Sequence, residues 1–211
     1  MVRTRSDDKR REIIRVAAQA FQDLGYERTS MLTIAERMSG SKQTLYNYFP
    51  SKEDLLRAVL EVDVTEVVDE GLAAFTAEKD LRKALVALGK VYLSRQLAPL
   101  AISNFRNAAT QPAESRLGED FYRKNLCVAW RRFADVLKSL MGEGKLRRAD
   151  PWLAAMHFKG LVLQDLLERV VLGAADSVDD REINSAAKHA ADAFLRVYGL
   201  EEPAAKAGRG K

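Results

Sequence analysis

The sequence predicts an all-α protein made of an N-terminal three-helix domain, a connecting helix and a larger helical domain. Apolar residues recur three and four positions apart along most of the chain, as they do on the buried face of a helix. Glycine and proline are scarce among the 211 residues, with 12 and 5 copies, whereas alanine and leucine abound. Residues that cap helices, such as Ser51 and Asp150, precede several of the periodic segments.

Composition places the chain among globular proteins and argues against several other classes. The hydrophobic share of 47% is typical of a chain that folds around a core. Cys127 is the single cysteine, so an intrachain disulfide is impossible, and we expect a buried structural thiol. No apolar run approaches the ~18 residues that span a bilayer, and the N-terminus lacks an apolar signal core. We therefore expect a cytoplasmic protein without a metal or cofactor.

The first helix is predicted over about residues 8–24. Its buried face is a stripe of apolar side chains: Ile13, Val16, Ala17, Ala20, Phe21 and Leu24. Gly25 suits the left-handed position that follows a helix end. The preceding segment carries Arg3 and Arg5. It forms either a disordered terminus or an arm that contacts phosphate or the minor groove of DNA.

Two short helices separated by the turn Ser39-Gly40 come next. The first begins at Thr29 or Ser30, both good N-caps. The second begins at Ser41, and two of its side chains, four residues apart, face inward: Leu45 and Phe49. The other side chains of this helix expose an ammonium, amides, a hydroxyl and two phenols, which suits them to the major groove of DNA. The arrangement is that of a helix-turn-helix.

The residues around this motif follow a specific order, namely Gly25-Tyr26, Thr29-Ser30, Ile34-Ala35 and residues 41–56. In that order and spacing they resemble the DNA-binding domain of the TetR family of bacterial transcription regulators, over roughly residues 8–60. The resemblance implies a repressor that binds a double-stranded DNA operator. It also implies a small-molecule effector, and a homodimer formed through the last two long helices.

The turn departs from the family pattern. The family usually has Ala-Gly-Val-Ser there, with the valine packed between the helices, whereas this chain has Met38-Ser39-Gly40-Ser41. We hypothesise that Met38 fills the space of the missing valine, because methionine is unbranched and adapts to irregular gaps. A weaker resemblance, to the AefR-like C-terminal domain, covers about residues 97–173 and is carried mainly by residues 142–147 and Asp150-Pro151.

Side-chain chemistry and the resemblance together nominate DNA-contacting residues. As phosphate contacts we predict Lys52, Tyr46 and Tyr48, helped by Ser30 and Thr44. As base contacts we predict Lys42 and Gln43, which match the edges of guanine and adenine. Ser41 caps the helix and need have no other role, and Tyr46 could instead be partly a core residue.

Charge is distributed in agreement with this prediction. Residues 1–52 contain ten Lys and Arg against six Asp and Glu, a net charge of +4. Residues 61–80 contain seven acidic residues against one lysine, a net charge of −6. The basic part of the chain therefore surrounds the proposed recognition helix, and the acidic half of the connecting helix should point away from DNA.

The remaining chain is predicted to form longer helices. One starts near Leu81 and ends or kinks at Pro99, and the others cover about residues 100–110, 113–141, 151–172 and 179–198. The helix after Pro151 is apolar on most of its circumference, so we assign one of its sides to a second subunit. The expected domains are residues 8–60 for DNA binding and 61–200 for effector binding and dimerisation, followed by a disordered tail, 201–211.

Polar groups within apolar helices are the candidates for effector contacts: Asn104, Tyr122, Trp130, His157 and Gln164. Residues of this kind are more often core residues whose hydrogen bonds a neighbour satisfies than ligand contacts. Their apolar surroundings favour a hydrophobic or aromatic effector with few polar groups.

Three other functions are alternatives to this one. An enzyme is disfavoured, because the two histidines, His157 and His189, lie on separate helices, and neither a second cysteine nor a glycine-rich phosphate loop is present. A non-specific packaging protein would bind random DNA as tightly as any operator. A regulator without an effector would respond to its own abundance alone.

Overall fold

The structure, a computed structural model, describes residues 5–38 and 41–200, with the side chains of residues 5, 63 and 113 excepted. Helices dominate this part of the chain and no strand occurs in it, which confirms the predicted all-α class. The helices are α1 (Arg5–Leu24), α2 (Met31–Arg37), α3 (Lys42–Tyr48), α4 (Lys52–Ala77), α5 (Leu81–Gln96), α6 (Pro99–Ala109), α7 (Leu117–Asp120), α8 (Cys127–Gly142), α9 (Pro151–Leu163), α10 (Leu166–Val171) and α11 (Asp180–Tyr198). Arg3, the turn Ser39-Gly40 and the predicted tail 201–211 lie outside the described residues.

Helices α1 to α4 enclose a first hydrophobic core. Serine side chains cap three of these helices: Ser30, Ser41 and Ser51 accept hydrogen bonds from backbone N–H groups three residues further on, at 3.0–3.1 Å. Each cap satisfies one of the donors that a helix N-terminus leaves unpaired. Leu45 and Phe49 are 0% and 4% exposed, as predicted, and anchor α3 in this core.

A second core lies between α4, α5, α8, α9 and α11. Gly89 on α5 permits close contact with α11, because a β-carbon at this position would lie 3.2 Å from the β-carbon of Ala187. The predicted alanine stripe of α11 is buried there, together with Phe194. The contacts of α9 and α5 with the same helix complete a bundle around this core.

Two helix predictions were wrong in extent. The helix predicted over residues 113–141 is interrupted at Arg116, whose φ is +55°, and it contains a π-helical segment, Phe121–Leu126. The helix predicted over residues 151–172 breaks at Gln164, whose φ is +48°. Neither position carries glycine, the residue that most often marks a left-handed turn, so the sequence offered no signal for either break.

The structure places Met38 where the packing hypothesis requires it. Its side chain is 7% exposed, belongs to the first core and follows the last turn of α2. Its backbone N–H donates to Ala35 O at 3.3 Å and closes that helix. Its burial agrees with the packing hypothesis, and that Met38 fills the space of the missing valine stays a prediction.

We predict that Met38→Ala lowers the free energy of unfolding by about 2–5 kcal/mol, the usual cost of truncating a buried methionine. Leu32→Ala on the same helix is the matched control, because Leu32 is 51% exposed and should cost little. Chemical denaturation of both variants measures the difference. Equal stability of the two variants would show that Met38 does not fill the gap.

Candidate functional site

The outer face of α3 carries the predicted base-contacting residues. Lys42 and Gln43 are both exposed. The Gln43 amide donates one N–H to Asn47 Oδ1 at 3.0 Å, which leaves its second N–H and its carbonyl oxygen directed elsewhere. The Lys42 ammonium lies 5.9 Å from the centre of the Tyr46 ring. Neighbours on the same helix therefore orient both side chains.

Lys52 joins the beginning of α4 to the loop after α1. Its ammonium donates to Tyr26 O at 2.9 Å and lies 4.2 Å from the centre of the Tyr26 ring. A more distant contact, of 3.5 Å, reaches Glu27 O. An ammonium has three N–H donors, so Lys52 keeps hydrogen-bonding capacity for a further acceptor at the N-terminus of α4.

The other predicted DNA-contacting residues lie around these two sites. Tyr46 is 39% exposed, so the alternative that it belongs to the core does not hold. Tyr48 is half-buried against the first core, and its hydroxyl lies 3.3 Å from Ser6 Oγ. Ser30 and Thr44 are close to helix starts, where both take part in capping contacts.

Arg10 was not among the predicted DNA-contacting residues, although the basic residues at the start of α1 favour a nearby polyanion. Its guanidinium lies 5.3 Å from the centre of the Phe49 ring, at the end of α3. A positive charge from α1 is therefore held next to the recognition helix. The run of basic residues at the start of α1 was visible in the sequence, but the contact joins segments almost forty residues apart and left no local signal.

A cavity of about 230 Å³ opens within the larger domain. Its walls come from α4, α5, α6, α8, α9, α10 and the π-helical segment, and they are mostly apolar. Tyr92, Trp130 and Phe133 are among its aromatic residues, and the Tyr92 and Trp130 rings meet edge to face at 5.0 Å between centres. Burial raises the pKa of the Tyr92 phenol, so this group is neutral and can donate a hydrogen bond.

Two of the five predicted effector-contacting residues, Asn104 and Trp130, line this cavity. The other three do not. Tyr122 is 56% exposed, and Gln164 is exposed at the break after α9. His157 is exposed, and its Nδ1 lies 2.6 Å from the Tyr198 hydroxyl, so a neighbouring residue satisfies it. The apolar circumference of α9 gave no indication of which side faces the cavity.

Lys159 is a cavity residue that the sequence analysis missed. It lies two positions after His157 and therefore about 200° around the helix from it. Lys159 is half-buried, and burial lowers the pKa of its ammonium. A single lysine in the apolar run of α9 was the available signal. Arg95 also lines the cavity, and its guanidinium is paired with Glu66 and Glu70, each at 3.4 Å.

The segment from Leu117 to Leu126 connects the cavity to the first hydrophobic core and to α4. Leu117 is fully buried in the first core, and Phe121 both packs against that core and lines the cavity. Between them, Asp120 forms an ion pair with Arg57 of α4 and a second one with Lys124 at 2.9 Å. Hydrogen bonding from Lys124, together with the charge of Arg57, lowers the pKa of the Asp120 carboxyl, so it is ionised at neutral pH.

A helix-turn-helix with a polar outer face, joined to a helical domain that contains an apolar cavity, defines a DNA-binding transcription regulator. Two family models match the chain. The AefR-like transcriptional repressor, C-terminal domain, matches residues 83–200, and the bacterial regulatory proteins, tetR family, match residues 13–59. The first match covers more than half of the chain, so the chain belongs to the TetR family.

Relatives agree with this assignment. The HTH-type transcriptional activator FasR of Mycolicibacterium smegmatis is 36% identical over 81 residues, which are 38% of this chain and 37% of FasR. The match with this curated relative thus spans little more than a third of its length. The HTH-type transcriptional regulator YhgD of Bacillus subtilis is 23% identical over 154 residues, which are 71% of this chain and 78% of YhgD.

Solved structures of the family superpose on most of the chain. A TetR-family transcriptional regulator from Mesorhizobium loti gives a TM-score of 0.86 at 29% identity, over 94% of this chain and 100% of that one. The flavonoid-responsive regulator FrrA gives a TM-score of 0.68 at 28% identity, over 92% and 99% of the two chains. Within the described residues, none of the helices has the length and apolarity that crossing a membrane requires.

We predict that Asp120→Asn speeds amide hydrogen exchange several-fold in residues 117–126, because an asparagine cannot hold the two cations. Glu119→Gln is the matched control: its ion pairs, with Arg116 and Arg123, join residues at most four positions apart and do not reach α4. Hydrogen exchange followed by mass spectrometry compares the two variants. Identical exchange in both would show that the Arg57 contact does not hold this segment.

Proposed function

We propose that this chain is a repressor that binds a palindromic operator as a homodimer and is released by a small hydrophobic effector. The observation that carries the DNA-binding part is the recognition helix α3, whose polar side chains face outward over the buried anchors Leu45 and Phe49. An exposed helix of this chemistry fits the major groove, and two copies related by a dyad would read the two halves of a palindrome.

Lys42 and Gln43 would contact the bases. The Asn47 contact leaves the Gln43 amide with one donor and one acceptor, which is the pair that the N6 and N7 atoms of adenine require. Lys42 would donate to the O6 and N7 atoms of guanine. Ser41 sits at the cap between these residues and the turn, and its role is to begin the helix.

Residues in and around the recognition helix would contact the phosphates. Lys52 stands at the N-terminus of α4, where the helix dipole and the backbone N–H groups also attract an anion. The hydroxyls of Tyr46 and Tyr48 would donate to phosphates, helped by Ser30 and Thr44. Arg10, held against Phe49, adds a positive charge on the same side.

The dimer interface would be formed by α9 and α11, the two long helices near the end of the chain. They expose apolar side chains on the outside of the bundle, Leu153 at 51% and Val197 at 46%. A β-carbon at Gly160 would have no neighbour within 4 Å, so this part of α9 leaves room for another helix to approach closely. A second copy of the chain would cover this face.

The effector would bind in the apolar cavity. The Leu117–Leu126 segment would transmit the resulting movement to the DNA-binding domain. A ligand that pushes on Phe121 would also move Leu117, which is buried in the first core, and Asp120, which pairs with Arg57 of α4. Because π-helical turns have less regular hydrogen bonding than α-helices and recur at functional sites, the segment Phe121–Leu126 is a suitable place for such a movement.

We predict that Gln43→Ala and Lys52→Ala weaken operator binding in different ways. Gln43→Ala should cost on the order of 1–3 kcal/mol and relax the preference at one base pair, because it removes a base contact. Lys52→Ala should weaken binding to all sequences alike and lower the slope of log affinity against log salt by about one, because it removes a phosphate contact.

Fluorescence anisotropy with the selected operator and its single-base variants, at several salt concentrations, measures both effects. Lys90→Ala, a substitution of an exposed lysine on α5 far along the chain from the motif, is the control and should leave affinity unchanged. An equal loss on every operator variant for Gln43→Ala would show that Gln43 does not read a base.

A further inference from the structure

Of the two positive charges that line the cavity, one has ion-pair partners and the other has none, and this difference indicates the charge of the ligand. Arg95 and Lys159 are its two charged lining residues. The positive charge of Arg95 is balanced by two glutamates of α4. Lys159 makes no ion pair and no hydrogen bond with any side chain that the structure describes. Among the described residues of the cavity wall, Lys159 is therefore a half-buried cation without an ion-pair partner.

A half-buried ammonium without a counter-charge is unfavourable, because burial removes part of its hydration. The cost appears in the pKa of Lys159, which burial lowers. An anion in the cavity would offset this cost and restore the charged form. The rest of the lining is mainly apolar, with Tyr92, Gln96 and Asn104 as its uncharged polar groups.

We propose that the effector is an apolar monoanion, such as a medium-chain or aromatic carboxylate, whose charged group pairs with Lys159. This inference rests on the proposed effector function of the cavity and assigns its ligand class. The cavity volume of about 230 Å³ suits a small ligand. The apolar body of the ligand lies among residues such as Leu72, Trp130 and Leu167.

Two probes of equal shape and different charge test the proposal: octanoate, a linear carboxylate, and octanamide, its neutral counterpart. Isothermal titration of the full chain without DNA should give at least tenfold tighter binding for octanoate. In Lys159→Met the preference should vanish or reverse, because a carboxylate would then be desolvated without a cation. Octanamide affinity should stay within about twofold, because methionine preserves the apolar volume.

Two further variants make the result specific. Lys159→Arg retains the positive charge and should retain the preference for octanoate. Lys188→Met removes an exposed lysine of α11 that does not line the cavity, and it should change neither affinity. Thermal melting of each variant verifies that it is folded.

Three results would overturn the proposal: octanamide binding as tightly as octanoate to the wild-type chain, a preference for octanoate that survives in Lys159→Met, or no binding of either probe. Because the titration contains no DNA, its outcome is separate from that of operator binding. A chain that prefers octanoate but selects no operator would contradict the proposed function and leave the ligand class standing.

Discussion

The structure depends on one uninterrupted helix that belongs to both hydrophobic cores. The first turns of α4 bury Leu55 and Leu56 completely among the DNA-binding helices. Its middle lines the cavity, with Val64 and Val67, and its end places Phe75 in the second core. A helix of 26 residues is about 39 Å long at 1.5 Å per residue, so both cores are fixed on one rod.

In the proposed function, this continuity would allow a ligand in the larger domain to affect the recognition helix. Interactions across packed helices are bistable rather than freely deformable, so a shift at one end is transmitted along the rod. A second connection between the first core and the cavity passes through Leu117, Asp120 and Phe121. The recognition helix itself is held by Leu45 and Phe49, whose burial is worth roughly 1.5–3 kcal/mol each. Its position therefore follows that of the helices around it.

The charges along α4 agree with the assignment of its two ends to the DNA-binding domain and the larger domain. The acidic residues of its second half are exposed and face arginines of the larger domain: Arg95 pairs with Glu66 and Glu70, and Arg132 pairs with Asp69 at 2.8 Å. These pairs neutralise the part of α4 that would repel DNA. Its first turn contains Lys52 together with Glu53 and Asp54, and Lys52 is the cation at this end of the helix.

The sequence predicted most of the fold because helix signals are local. Serine caps, the four-residue spacing of Leu45 and Phe49, and Gly25, whose φ is +79°, can each be read from a few neighbouring residues. The breaks at Arg116 and Gln164 could not be predicted, since neither carries a residue typical of a left-handed turn. The cavity residues were predicted in part: Asn104 and Trp130 were found, whereas Lys159 was missed because α9 is apolar all round and its inward side is set by tertiary packing.

The central claim is that two copies of α3 are presented by a symmetric dimer to two halves of one DNA site. Sequencing the duplexes that the purified chain retains from a randomised pool tests this claim most directly. The account predicts enrichment of a palindrome whose half-sites are centred about 34–36 Å apart, or a multiple of that distance. A pool without an enriched sequence, or with a single unrepeated half-site, would contradict it.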